Sequence, residues 1–191
     1  MYTIKVMEAL YLKKISKEDK QLVLKYITEM VENSSRINGL RFYDSKSFEE
    51  MLENFIKQEA IKFENYEQDN YPYFQYLLMR QTDNAMVGAV GIRPYMTKCL
   101  DEIYGGNIGY SIRPSERRKG YATKALQLAI QKYYEINQKD EIIVCCYKDN
   151  IGSRKAIIKN GGILIEEKPG TISRQKYIIK KTPQFKDDKR K

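Results

Sequence analysis

The chain has no histidine. That absence removes the commonest general base at neutral pH, the commonest zinc ligand and every Ser-His or Cys-His nucleophile arrangement, so hydrolase triads are set aside at once. Neither GxGxxG nor GxxxxGK[ST] occurs, which withdraws the Rossmann dinucleotide site and the Walker A loop. No apolar run approaches the roughly 18 residues a membrane span requires, and Met1-Tyr2-Thr3-Ile4-Lys5 lacks the charged-then-apolar layout of a signal peptide. The expected location is therefore cytoplasmic. Cysteine is scarce: Cys99, Cys145 and Cys146 cannot all pair, and adjacent residues of an extended segment point to opposite faces, so reduced thiols are expected.

What is present is a basic chain of globular composition. Its 191 residues, 42% of them hydrophobic, suffice for one core, and no repeat or linker rich in Gly, Ser or Pro divides them. One domain over residues 1–182 is expected, followed by a basic tail at 183–191. Against 25 Asp and Glu stand 34 Lys and Arg, a net charge of +9 that favours anionic partners: nucleic acid, acidic proteins or a phosphate-rich cofactor.

Patterning gives the order β-α-α-β-β-β-α-β-α-β-β, a mixed α/β sheet. A first strand is expected over Val6 to Leu12 and a helix over Lys17 to Glu32, capped by Ser16. A second helix is expected from Ser47 to Asn65, then a hairpin of Tyr73 to Gln81 with Ala85 to Arg93. Asn107 to Arg113 reads as a strand ended by Pro114, and Gly120 to Asn137 as an amphipathic helix. The apolar run in Glu141 to Tyr147 suggests a central strand covered on both faces. A short helix over Asn150 to Asn160, stopped by Gly161-Gly162, precedes two closing strands, Ile163 to Glu167 and Arg174 to Lys180.

One segment carries chemistry. The strand Ile108-Gly109-Tyr110-Ser111-Ile112-Arg113 leads through Pro114 into a turn with three consecutive cations, Arg117, Arg118 and Lys119, then Gly120 and a long helix. Unpaired N–H groups at a helix start, aided by the helix dipole, bind phosphate oxygens, and glycine lets the backbone approach. The plainer alternative is an ordinary strand-to-helix connection with solvated cations.

At these residues the chain resembles the GNAT acetyltransferase superfamily, whose cofactor turn [QR]-x-x-G-x-[GA] is matched by Arg117-Arg118-Lys119-Gly120-Tyr121-Ala122. Asn150-Ile151-Gly152-Ser153 looks like the family's second block, N-x-x-[AS] followed by a glycine. The stretch from Gly105 to Gly120 looks most like predicted bacterial acetyltransferases of unassigned substrate, and Asn150 with Ser153 resembles the ribosomal-protein alanine acetyltransferases. The resemblance implies a GNAT fold: a mixed, mostly antiparallel sheet of six to seven strands flanked by about four helices and splayed at the acetyl-CoA site. It implies an acetyl-CoA-dependent N-acetyltransferase working by direct attack of an amine acceptor, with no metal. The cofactor residues it implies are Ile112, Arg113, Arg117, Arg118, Lys119, Gly120, Tyr121, Ala122, Thr123, Asn150 and Ser153, with the pyrophosphate on amides from Arg117 to Thr123. A homodimer stays open, and so does the acceptor.

The family often places a tyrosine seven residues after the motif asparagine to protonate the departing thiolate, and here that position is Ile157. Ser153 is the first catalytic candidate in its stead and Tyr147 the second; a thiolate beside a helix N-terminus can also leave without a proton donor. Asp101 and Glu102 are candidate bases, and residues 63–73 and 95–106 candidate acceptor walls. An acetyl-cysteine route through Cys145-Cys146 is disfavoured, because no histidine activates the pair. The alternatives are a basic nucleic-acid-binding protein, suggested by 16 tyrosines, and a GNAT-fold cofactor binder without turnover.

Overall fold

The computed structural model describes residues 8–42, 45–61, 71–96, 101, 105–137, 139–168 and 173–181. Among them are seven strands and four helices of nine or more residues. The strands are β1 (Leu10–Lys14), β2 (Phe74–Arg80), β3 (Met86–Ile92), β4 (Ile108–Ile112), β5 (Glu141–Tyr147), β6 (Ile163–Lys168) and β7 (Arg174–Lys180). The helices are α1 (Lys20–Glu32), α2 (Phe48–Glu59), α3 (Tyr121–Ile136) and α4 (Ile151–Lys159). The element order is the one expected from the sequence. The ladders run β1-β2-β3-β4 and β5-β7-β6, every recorded pairing being antiparallel.

Alternation along the strands sorts side chains into two cores. On one face Tyr26 and Met30 of α1 and Met51, Leu52 and Phe55 of α2 pack on Leu77, Met79, Met86 and Ala89. On the other, Ala125, Leu126, Ala129, Ile130 and Tyr133 of α3 cover Leu78, Val90, Ile108, Ile112, Ile142 and Val144. The loop after α1 crosses the strands where side chains are absent. A Cβ on Gly39, whose φ is +93, would stand 2.8 Å from Gly109 O and from Gly91 N, so only glycine permits this approach.

Several expected boundaries shift. The first strand begins at Leu10, and residues 1–7 lie outside the described set. Ser16 and Asp19 form a capping box on a 3-10 turn, Lys17–Asp19, and the α-helix starts only at Lys20. The second helix ends at Glu59, short of Asn65, while residues 62–70 and 182–191, including the basic tail, are not described. β5 lies between β4 and β7 but, among the described residues, pairs by a ladder only with β7, and it is covered on one face rather than two. Its burial alternates because Ile143, Cys145 and Tyr147 face away from the α3 layer, and Cys145 and Tyr147 border a cleft. Tyr26, Tyr76 and Tyr133 are buried packing residues, which takes them from any base-stacking surface. No helix among the described residues is long and apolar enough to cross a membrane.

Candidate functional site

The two ladders meet at a single buried residue. Asn107 donates its main-chain N–H to Ile143 O at 2.7 Å and accepts the Ile143 N–H on Oδ1 at 2.8 Å, while its main-chain O accepts from Arg93 N at 2.7 Å and its Nδ2 donates to Arg93 O at 2.9 Å. One side chain thus replaces a rung between β4 and β5. Beyond it no ladder joins these strands among the described residues, and a cleft of about 940 Å³ lies along the gap, bounded by Ile108 to Ile112, Cys145 to Tyr147, and the starts of α3 and α4.

The turn before α3 closes one end. Arg118 (φ +63) and Gly120 (φ +85) are left-handed, and Gly120 adjoins the right-handed first residue of α3, an alternation of hand in which successive N–H groups converge into an anion-binding nest. Among the described residues, the main-chain N–H groups of Arg118, Lys119, Gly120, Tyr121 and Ala122 meet no protein acceptor, whereas those of Arg117 and Thr123 are bonded to Pro114 O and Gly120 O. The free row is therefore shorter at both ends than the stretch from Arg117 to Thr123. The Arg117 side chain folds back, donating to Ile112 O at 3.1 Å and Ser35 Oγ at 2.8 Å. Since Val87 O takes the Arg113 N–H, strand alternation turns the N–H groups of Ile112 and Tyr110 toward the gap.

At the opposite wall, Asn150 caps α4, its Oδ1 accepting from Ser153 N at 3.0 Å. That carbonyl is thereby committed to the helix. The Ser153 hydroxyl meets the Tyr110 phenol at 2.8 Å across the gap. Burial pushes the Tyr110 phenol well above its usual range, the hydrogen bond to Ser153 offsetting part of that, so Tyr110 stays protonated. Burial also raises both thiols, Cys145 to about 12, and the Cys145 Sγ–H is directed at Gly105 O. Neither cysteine is an activated nucleophile.

Of the residues expected from sequence, Ile112, Arg117, Arg118, Gly120, Tyr121, Ala122, Thr123, Tyr147, Asn150 and Ser153 line the cleft; Arg113 and Lys119 do not. The Arg113 guanidinium turns to the α1 side, donating through Nε to Glu29 at 2.6 Å and through NH1 to Met86 O at 3.1 Å. Lys119 pairs with Glu116 at 2.7 Å. Tyr147 faces away from Cys146, the neighbour of Ser153, by strand alternation, and its ring lies against Arg36 and Arg174. Asp101 is bound to Lys176 at 2.5 Å and does not line the cleft, and Glu102 is outside the described residues. Within the acceptor walls read from sequence, Tyr71 and Tyr73 are buried, with Arg93 stacked 4.5 Å over the Tyr73 ring, and residues 97–100 and 102–104 are not described. Sequence reading missed Tyr110 and Asn107. Their signals were the alternation Ile108, Tyr110, Ile112 and a lone polar residue at a strand start.

A nest at a helix start, opening on a gap between splayed strands, defines the class. The family model for an acetyltransferase (GNAT) domain matches residues 9–163, and the chain belongs to this family. Ribosomal-protein-S5-alanine acetyltransferase from Vibrio fischeri is similar in structure at a TM-score of 0.68 and 12% identity, over 93% of this chain and 96% of that one. RimL, the ribosomal L7/L12 α-N-protein acetyltransferase in complex with coenzyme A, aligns at 0.62 and 16%, over 90% and 94%. The spermidine/spermine N-acetyltransferase SpeG from Vibrio cholerae aligns at 0.59 and 14%, over 90% and 93%. A search of curated proteins gives no match.

Proposed function

We propose that the protein transfers the acetyl group of acetyl-CoA directly to a primary amine in a ternary complex. The observation that carries this reading is the row of five N–H groups from Arg118 to Ala122, without acceptors among the described residues, at the N-terminus of a 16-residue helix at the cleft's mouth. Such a row suits a pyrophosphate, because the donors are fixed and the helix dipole adds partial positive charge. Ile112 and Tyr110 offer gap-facing N–H groups to the pantetheine arm and the thioester carbonyl.

Ser153 is the group we assign to the departing sulfur. Tyr110 and Ser153 share a 2.8 Å hydrogen bond in which either hydroxyl can donate, and with the phenol as donor the serine hydrogen is left to point along the cleft. The start of α4 beside it favours the thiolate form of that sulfur. Lacking a proton-transfer group at Ile157, the site depends on holding the amine near the carbonyl and on stabilising sulfur by hydrogen bonding. Calorimetry tests the first step. Gly120→Glu sets a carboxylate where phosphate belongs and should abolish acetyl-CoA binding; unchanged affinity sinks the assignment. Thiol release across an amine panel then separates an enzyme from a binder without turnover.

A further inference from the structure

The cleft has two faces with different charge. β4 and β5 present Ile108, Tyr110, Ile112 and Cys146 to the α3 and α4 side, where Ser153 stands. The opposite side receives Ser111, which the loop after α1 grips through Asn38 (Ser111 Oγ to Asn38 O, 2.6 Å), and, on β5, Cys145 and Tyr147. That same loop brings Arg36, and β7 brings Arg174 by pairing it with Tyr147. The guanidinium carbons of Arg36 and Arg174 lie 4.3 and 5.4 Å from the centroid of the Tyr147 ring.

The described residues lining this side include no carboxylate. Glu116 is the one carboxylate among the described residues lining the cleft, and it sits at the far end beside the α3 turn, paired with Arg80 at 2.8 Å. On β7, two residues from Arg174, Lys176 is saturated by Asp101 at 2.5 Å and Glu166 at 3.3 Å. An acceptor that enters opposite the cofactor therefore meets guanidinium and an aromatic face, with no carboxylate among the described lining residues there to hold a second ammonium.

We infer that the acceptor carries a carboxylate close to its reactive amine, the carboxylate being held by Arg36 and Arg174 over the ring of Tyr147. Guanidinium presents paired N–H donors in the geometry a carboxylate matches, and stacking on Tyr147 fixes the plane of the donors. The same positive field disfavours the ammonium form of the amine that follows. It thereby assists deprotonation in a site with no histidine and, among the described residues, no free carboxylate base. This inference rests on the acetyl-transfer reading and names its substrate class.

The test is thiol release at saturating acetyl-CoA with five acceptors: glutamate, its α-amide, a short peptide with aspartate as second residue, its lysyl counterpart, and spermidine. Glutamate reacting above its amide identifies a free amino acid; the aspartyl peptide reacting above the lysyl one identifies a peptide N-terminus. Either result supports the inference. Arg36→Gln and Arg174→Gln should each lower the acid-to-amide ratio of kcat/KM about tenfold or more, the scale of one lost charge-assisted hydrogen bond. Arg36→Glu should move the preference toward spermidine. Arg36 is exposed, so that variant keeps the core. A wild-type enzyme that prefers spermidine or the amide, or arginine variants that leave the ratio unchanged, overturn the inference while acetyl transfer stands. Absence of acetyl-CoA binding by calorimetry overturns both.

Discussion

Replacing Asn107 with leucine tests the splay on which the cleft depends. Leucine is similar in size but can neither accept from Ile143 N nor donate to Arg93 O, the two bonds the asparagine side chain makes at 2.8 and 2.9 Å. Asn107 is 4% exposed, so water does not readily replace it, and each orphaned main-chain group costs about 1–3 kcal/mol. Both together give roughly 2–6 kcal/mol, which for a chain of this size lowers Tm by roughly 5–20 °C. Thermal and urea unfolding followed by circular dichroism read the loss directly. Because the residue sets the separation of β4 and β5, the folded fraction should also bind acetyl-CoA more weakly. A variant that melts within about 2 °C of wild type, the shift expected from a loss of only about 1 kcal/mol, would refute the pivot role.

Ser153→Ala should reduce turnover with little change in acetyl-CoA affinity. Tyr110→Phe should do the same on the wild-type background and add little to Ser153→Ala, because the phenol acts through the serine; fully additive kcat losses would separate the two residues. Glu29 accepts from Ser115 N at 2.8 Å and from Arg113 Nε at 2.6 Å, tying α1 to the segment before the cofactor turn. Its pKa is lowered: burial opposes ionisation, but the Ser115 N–H and the Arg113 guanidinium outweigh it. The resulting stability is present above the unfolded value of about 4.3 and is lost as pH falls through the lower folded value. Glu29→Gln should therefore flatten the acid limb of a stability–pH curve, and an unchanged limb would count against the link. The Cys145 thiol, pushed up to about 12, should alkylate at pH 8 on the order of a thousandfold more slowly than a free thiol, read by peptide mass spectrometry. Labelling at a free thiol's rate would reopen an acetyl-cysteine route.

Local chemistry made much of this molecule legible. The three- and four-residue recurrence of Ala122, Ala125, Leu126, Ala129, Ile130 and Tyr133 is a property of consecutive residues, and it marked α3 and its buried face. The turn before α3 was readable because glycine, cations and a helix start lie within a few residues of one another. The pairing of Ser153 with Tyr110 was not, since 43 residues separate them and only the gap between β4 and β5 brings the hydroxyls together. β5 misled for a related reason: an apolar run reads alike whether both faces are covered or one borders a cleft, and the layers decide which. Arg113, ahead of the motif, and Lys119, within it, turn away from the cleft, toward Glu29 and Glu116. Spacing along the chain fixes which residues share an element, whereas a side chain's direction and partner arise from elements distant in sequence, and the charge of the acceptor face exists only once α1's loop and β7 meet beside Tyr147.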